Sequence, residues 1–313
     1  MIELLAEETA GDPMTKQKWV RLSLKRLSQL LAERGHSLAP NTIRRLLVKL
    51  GYSLKANRKR ITGPAHPDRD RQFRYIARLK KRFLRAHWPI ISVDTKKKEL
   101  VGNFKNPGRT WRQKADEVNC HDFLQDSEGR ACPYGLYVLS QDRGFVSVGL
   151  SADTPEFAVD VISQWWRKTG KREFQMAPKI LILADSGGSN GCRPRLWKVK
   201  LQEFADAHNL EITVSHYPRG ASKWNPIEHR LFSFISINWA ATPLRTLDIL
   251  LHCIRDTTTE TGLKVQATIN PKLYKKGIKV SKQEMKALRI KRHKVCPNWN
   301  YTLKPRKRLL QRN

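Results

Sequence analysis

Apolar residues recur along this chain in two rhythms, and the change from one to the other divides it. Across 23–35, Leu24, Leu27, Leu30 and Leu31 return at helical spacing and the run stops at Gly35, which predicts an amphipathic helix. The turn His36-Ser37-Leu38-Ala39-Pro40 leads to a second predicted helix over 42–50, with Asn41 placed to cap it and Gly51 to end it. Two short helices joined by a tight turn, the second carrying Arg44, Arg45 and Lys49, read as a helix-turn-helix DNA-binding module over 1–63. In that reading residues 1–13 are a linker and 52–60 a basic wing; an ordinary helical hairpin with a basic outer face has the same pattern. Residues 64–88 read as a basic helical connector, with a helical run over 69–83 whose charged side is either solvated or set against phosphate.

Beyond Trp88 the texture becomes short apolar runs alternating with helical stretches. Strands are predicted over 90–94, 100–104, 134–139, 145–150, 180–185 and 212–217, and helices over 155–168, 195–208 and 226–238. Several strands followed by strand–helix alternation predict an α/β domain over 89–239, a mixed sheet flanked by helices. Trp165 and Trp166 lie on the apolar stripe of their helix and are expected in the core. Residues 240–313 read as a helical and basic C-terminal extension, with one apolar helix over 244–254 and the basic run Lys304-Pro305-Arg306-Lys307-Arg308.

Charge sharpens this picture. Sixty Lys+Arg against 28 Asp+Glu give a formal net charge of +32 in 313 residues, spread along the chain, so polyanions are attracted to it. On charge alone a ribosomal or generic RNA-binding protein fits as well; nine Trp and a 40% hydrophobic fraction argue for folded domains. The five cysteines form no CxxC pair, which excludes zinc-finger spacing and disfavours a disulfide framework. The acidic N-terminus lacks the order of a signal peptide, and no apolar run approaches the roughly 18–20 residues that span a bilayer. The expectation is a soluble cytoplasmic protein without a membrane partner.

Three carboxylates stand out against this basic background. Asp94 closes the run Pro89-Ile90-Ile91-Ser92-Val93, Asp185 closes Ile180-Leu181-Ile182-Leu183-Ala184, and Glu228 sits in the first turn of the predicted helix after Asn225-Pro226. Each has a plain explanation: Asp94 and Asp185 as turn residues, and Glu228 as the N3 partner of a capping box with Asn225 at N-cap and Pro226 at N1. If the two strands lie side by side, two acids at their ends and a third at a helix start would supply the oxygen ligands that hard divalent cations prefer. Ala184-Asp185-Ser186-Gly187-Gly188 echoes the nucleophile segment of serine proteases, but the basic α/β setting does not fit one. Nucleotide-binding signatures of the GxxxxGK[ST] or GxGxxG type are absent.

Three segments carry a resemblance. Ser92-Val93-Asp94-Thr95-Lys96-Lys97-Lys98-Glu99, the stretch 181–191 and the stretch 222–233, in that order, are similar to those of insertion-sequence transposases of the ISAzo13 family. More loosely they resemble the IS630/Tc1/mariner superfamily, whose third motif has the same Asn-Pro-x-Glu character; the similarity runs from about residue 14 to about 303 and includes Trp299-Asn300-Tyr301. The resemblance implies an RNase H-like fold and a DDE triad of Asp94, Asp185 and Glu228, holding two Mg2+ ions with Mn2+ as a substitute. It implies metal-dependent cleavage and strand transfer of an insertion sequence, on duplex DNA at the element's terminal repeats and at the target. Joining two ends calls for a homo-oligomer. Lys96, Lys97, Lys98, Lys223 and Arg230 are the expected phosphate contacts beside the site; His216 and His229 are expected to be structural. Family members begin further upstream, so the chain is expected to be shortened at its N-terminus, and Pro226 replaces the residue expected in near relatives. The alternative is a non-catalytic helix-turn-helix DNA-binding protein with a decayed or truncated transposase core.

Overall fold

The structure is a computed structural model that describes residues 9–11, 18–20, 22–54 and 66–306. The chain divides into two compact units, Met1–Ile61 and Thr62–Asn313.

In the first unit, β1 (Thr9–Gly11) pairs antiparallel with β2 (Lys18–Val20), so part of the expected linker is strand. Helices α1 (Leu24–Glu33) and α2 (Pro40–Lys49) follow. Ser23 caps α1 through the Arg26 N–H. Asn41 does not cap α2. The helix starts one residue earlier, at Pro40, whose fixed φ and missing N–H suit the first helical position. Leu27, Leu31 and Ile43 form the core between the two helices, and Ser28 Oγ donates to the Leu38 carbonyl at 2.6 Å to hold the turn. Residues 55–60 of the expected basic wing and Lys307 and Arg308 of the basic tail lie outside the described residues.

The second unit is built on a nine-stranded sheet. Its strands are β3 (Ile90–Thr95), β4 (Glu99–Val101), β5 (Gly129–Val138), β6 (Arg143–Gly149), β7 (Lys179–Ala184), β8 (Glu211–His216), β9 (Lys264–Asn270), β10 (Ile290–Arg292) and β11 (Asn300–Leu303). The order is β10-β11-β8-β7-β3-β5-β6-β9, with β4 beside β5. β3, β5 and β6 are antiparallel neighbours, whereas β7 and β8 run parallel to β3 on its other side. Helices α3 (Arg69–Arg85), α4 (Pro155–Trp165), α5 (Arg195–His208), α6 (Ser233–Asn238), α7 (Leu247–Arg255) and α8 (Lys282–Lys286) accompany it. The mixed sheet flanked by helices is the expected fold class.

Segments on both sides of the expected 89–239 domain pack with it. The connector over 64–88 is part of the second unit: α3 buries Ile76, Leu79 and Phe83 against Ile90, Leu181, Leu183 and Tyr217. The extension over 240–313 completes the sheet, with β9 parallel to β6 and β11 antiparallel to β8. Val265 and Ala267 alternate with Lys264 and Gln266 between buried and exposed, a period-two signal for β9 that extends over only four residues.

Strand periodicity divides the faces of the sheet. Ile91 and Val93 of β3 and Ile180, Ile182 and Ala184 of β7 enter a core with Phe157, Val161, Trp165 and Trp166 of the α4 region and Trp197 and Leu201 of α5. Residues of the other parity, Ile90, Leu181 and Leu183, meet α3. That second face also receives the helical stretch from Pro226, through Ile227, Leu231 and Phe232. Gly135 makes this approach possible, because a Cβ there would stand 2.5 Å from the Phe232 ring and 2.9 Å from Ile227 Cδ1. Gly135→Ala should therefore destabilise the protein by about 1–3 kcal/mol, read as a lower midpoint in urea with an unchanged slope.

Candidate active site

The site grows from the register between β3 and β7. The two strands are parallel, with Val93 opposite Ala184, so the next residues, Asp94 and Asp185, leave neighbouring strand ends side by side. Asp94 is still within β3 and pairs with Gly135, the residue over which the third motif packs. By strand parity both acids share the face occupied by that motif.

The third motif is a helix interrupted at its start. Pro226 and Ile227 are α-helical, Glu228–Phe232 form a π turn, and α6 continues to Asn238. Such wide turns are uncommon and concentrate at functional sites. Asn225 is not the expected side-chain cap. Its buried amide instead donates from Nδ2 to Asp185 Oδ1 at 3.0 Å, and its Oδ1 accepts from Ser92 Oγ at 2.5 Å. Ser92 in turn accepts the Ile227 N–H at 3.2 Å, so a β3 hydroxyl satisfies one of the free N–H groups of the helix that carries Glu228. Ser92 and Asn225 thus tie all three acid-bearing segments together. Sequence reading missed this because Ser92 lies more than 130 residues from both of its partners.

Asp185 is held from a second side. Buried His216 donates from Nδ1 to the Asp185 carbonyl at 2.9 Å, while its Nε2 accepts from Tyr301 Oη at 3.3 Å. Trp197 Nε1 donates to the same Tyr301 oxygen at 2.9 Å. Burial holds the His216 imidazole neutral, with its pKa down to about 4. It is a structural histidine, and His229 is exposed. Asn300 joins Gln72 of α3 to Ser215 of β8, with both amides buried. In the loop after Asp185, Asn190 Nδ2 reaches the Val93 carbonyl at 3.2 Å, and Gly191 is packed so close to Gly187 that a side chain would collide.

Electrostatics follow from this crowding. Burial and then the charge of Asp185 raise Asp94 to about 8, opposed by a hydrogen bond from the Thr95 N–H and helped by smaller pushes from Glu228 and Asp153. Burial raises Asp185 to about 6, opposed by the Asn225 hydrogen bond and reinforced by Glu228. Glu228 is raised by burial and lowered by Lys96. Among the described residues no three of His, Cys, Asp and Glu are gathered closely enough to hold a metal ion. The chemistry of the donors nonetheless fits a hard divalent cation: they are oxygen groups that repel one another, and Asn190 Oδ1 in the loop after Asp185 is buried without a partner.

The expected phosphate contacts are not equivalent. Lys97, Lys98, Lys223 and Arg230 are exposed. Lys96 is not free: its ammonium lies 3.6 Å from Glu99 and 4.7 Å from the Trp239 ring centroid, and burial lowers its pKa. It serves as a counter-charge within the site. Lys223 lies over the Trp224 ring at 4.2 Å. In the first unit, Arg44, Arg45 and Lys49 are exposed on α2.

A family model described as the Rhodopirellula transposase DDE domain matches residues 1–305. The chain belongs to this transposase family. The resemblance drawn from the three motifs is thereby borne out. No curated protein sequence matches the chain. Among solved structures, the DDE domain is similar to the Mos1 transposase paired-end complex with left transposon end, at 13% identity and a TM-score of 0.41, over 79% of this chain and 66% of that one. It is similar to the Mos1 strand transfer complex at 12% identity and a TM-score of 0.42, over 80% and 66%. For the Mos1 mariner paired-end complex with Mn the values are 13%, 0.41, 72% and 64%. The chain thus spans just under two thirds of the length of these Mos1 chains. No helix of the described residues is long and apolar enough to cross a membrane.

Asn225→Ala should cost about 1–3 kcal/mol of stability, because Ser92 and Asp185 each lose a buried partner; chemical denaturation measures it. For Asp94 the sign runs the other way. Its folded pKa of about 8 lies above the ordinary 3.8, so ionisation opposes folding and stability falls as pH rises through that window. In buffer free of divalent ions, Asp94→Asn should melt a few degrees above the wild type at pH 8, with the gap closing toward pH 4.

Proposed function

We propose that this DDE domain is the catalytic unit of a transposase that cleaves DNA at the ends of an insertion sequence and joins the freed strand to target DNA. One observation supports it most: Asp94 and Asp185 leave adjacent parallel strands on the face where Ser92 and Asn225 moor the helix carrying Glu228. The fold proposed is RNase H-like, in keeping with three antiparallel strands, β3, β5 and β6, followed by β7 and β8 parallel to β3.

Asp94, Asp185 and Glu228 would hold two Mg2+ ions, or Mn2+ in their place, and such ions when bound supply Lewis acidity and an acidified water for phosphoryl transfer. The chain's own residues do the positioning. Asn225 occupies one oxygen of Asp185 and leaves the other to a ligand, and Ser92 fixes the distance of the Glu228 helix from β3. Lys96 balances Glu228. Lys97, Lys98, Lys223 and Arg230 contact backbone phosphates, which sets register without reading sequence. The first unit contributes a helix-turn-helix, with Arg44, Arg45 and Lys49 of α2 against the terminal repeat. A homo-oligomer holds the two ends.

The test is nicking of a labelled element end in Mg2+ or Mn2+. Asp185→Asn should reduce nicking by at least about a thousandfold, in line with losing a preorganised electrostatic group, while duplex binding stays within about twofold of the wild type. Equal nicking by both proteins removes the catalytic assignment, and binding with no nicking by either leaves a DNA-binding chain with a decayed core.

A further inference from the structure

Helix α3 carries a row of positive charge that the fold does not neutralise. One side is buried through Gln72, Ile76, Leu79 and Phe83. Arg71, Arg74, Arg78, Lys81, Arg82 and Arg85 are exposed on the rest of the helix. Arg71 has Asp68 at 3.6 Å, but among the described residues none of the other five has an acidic partner within ion-pair distance. After Asp70 the helix contains no acid at all.

A solvated helix face ordinarily alternates signs at i and i+4, because opposite charges there stabilise the helix and like charges destabilise it. Here Arg74 and Arg78, Arg78 and Arg82, and Lys81 and Arg85 stand at that spacing with the same sign. Two of the guanidinium groups are also set in place. Arg78 lies over the Tyr75 ring at 5.4 Å and Arg82 over the Phe83 ring at 5.5 Å, so they present their charge from fixed supports. Arg78, Lys81, Arg82 and Arg85 line a shallow groove of about 370 Å³. At the N-terminal end of the helix, Arg69 lies 4.7 Å from the centroid of Trp224, the residue before Asn225. The row therefore begins beside the candidate active site and runs away from it for about 21 Å, at about 1.5 Å per residue from Arg71 to Arg85.

We propose that this face of α3 is a phosphate track, along which the backbone of duplex DNA runs as it leaves the active site. A regular line of anions is the partner that turns a destabilising row of like charges into a favourable one, and about 21 Å matches roughly six base pairs of B-form rise. The proposal rests on the strand-cleavage reading of the site, but the measurement below does not need catalysis.

The experiment is fluorescence anisotropy of the full chain with a labelled 30-base-pair duplex across a series of salt concentrations. The triple variant Arg74→Ala/Arg78→Ala/Lys81→Ala is compared with a control that removes equal charge from another exposed segment, Lys275→Ala/Lys276→Ala/Lys279→Ala. The track variant should bind at least about tenfold more weakly at 0.1 M salt, and its salt slope should be shallower by about two to three. The control should shift affinity by less than about threefold. The track variant's melting temperature should equal or exceed the wild type's, since like charges are relieved. Unchanged affinity and slope in the track variant overturn the proposal, and so does an equal loss in the control, which would mean that net charge alone is being read. A wild type that binds in this way but does not nick an element end would sink the catalytic reading and leave the track standing.

Discussion

Two carboxylates are placed side by side, half out of water, at the ends of parallel strands, and the rest of the second unit is arranged around that cost. Register makes the placement unavoidable once β3 and β7 pair with Val93 opposite Ala184. Burial pushes both acids up, with Asp185 adding to the rise of Asp94 and Glu228 to that of Asp185, so that Asp94 reaches about 8 and Asp185 about 6. A fold selected only for stability would put a polar amide at one of these positions. Two acids kept where they repel is the arrangement expected of a site shaped for positive charge, at a cost to the empty protein.

The surroundings limit the damage by fixing each group from several sides. Asn225 and Ser92 hold Asp185 and the Glu228 helix to β3, while His216, Tyr301 and Trp197 secure the Asp185 backbone from the opposite direction. Gly135 lets the helix come down onto the sheet beside Asp94, and the π turn at Glu228–Phe232 begins at the acid itself. Lys96, buried against Glu99 and Trp239, supplies the counter-charge that the site otherwise lacks. The exposed cations stay outside, on the third motif, the loop after β3 and α3.

Much of this was legible in the residues. Strands with two-residue alternation or unbroken apolar runs and helices with a 3.6-residue stripe declare themselves locally, and the helix over 195–208 lies where its spacing put it. The three acids were visible because each interrupts or closes an apolar run in a strongly basic chain. Less legible was 240–313, where the alternation of β9 extends over only four residues and β11 is only four residues long. Asn225 was misread for a physical reason. Its sequence position is that of an N-cap, and only the arrival of Ser92 from β3 gives its amide stronger partners than its own helix.

The sequence by itself determined the elements, the basic character of the surface and the identity of the acids, since all three depend on residues close together in the chain. Tertiary structure alone decided which strand ends became neighbours, which hydroxyl met the Glu228 helix and which lysine was buried within the site. Those outcomes depend on register and packing between segments about ninety residues apart or more, and local periodicity carries no information about them.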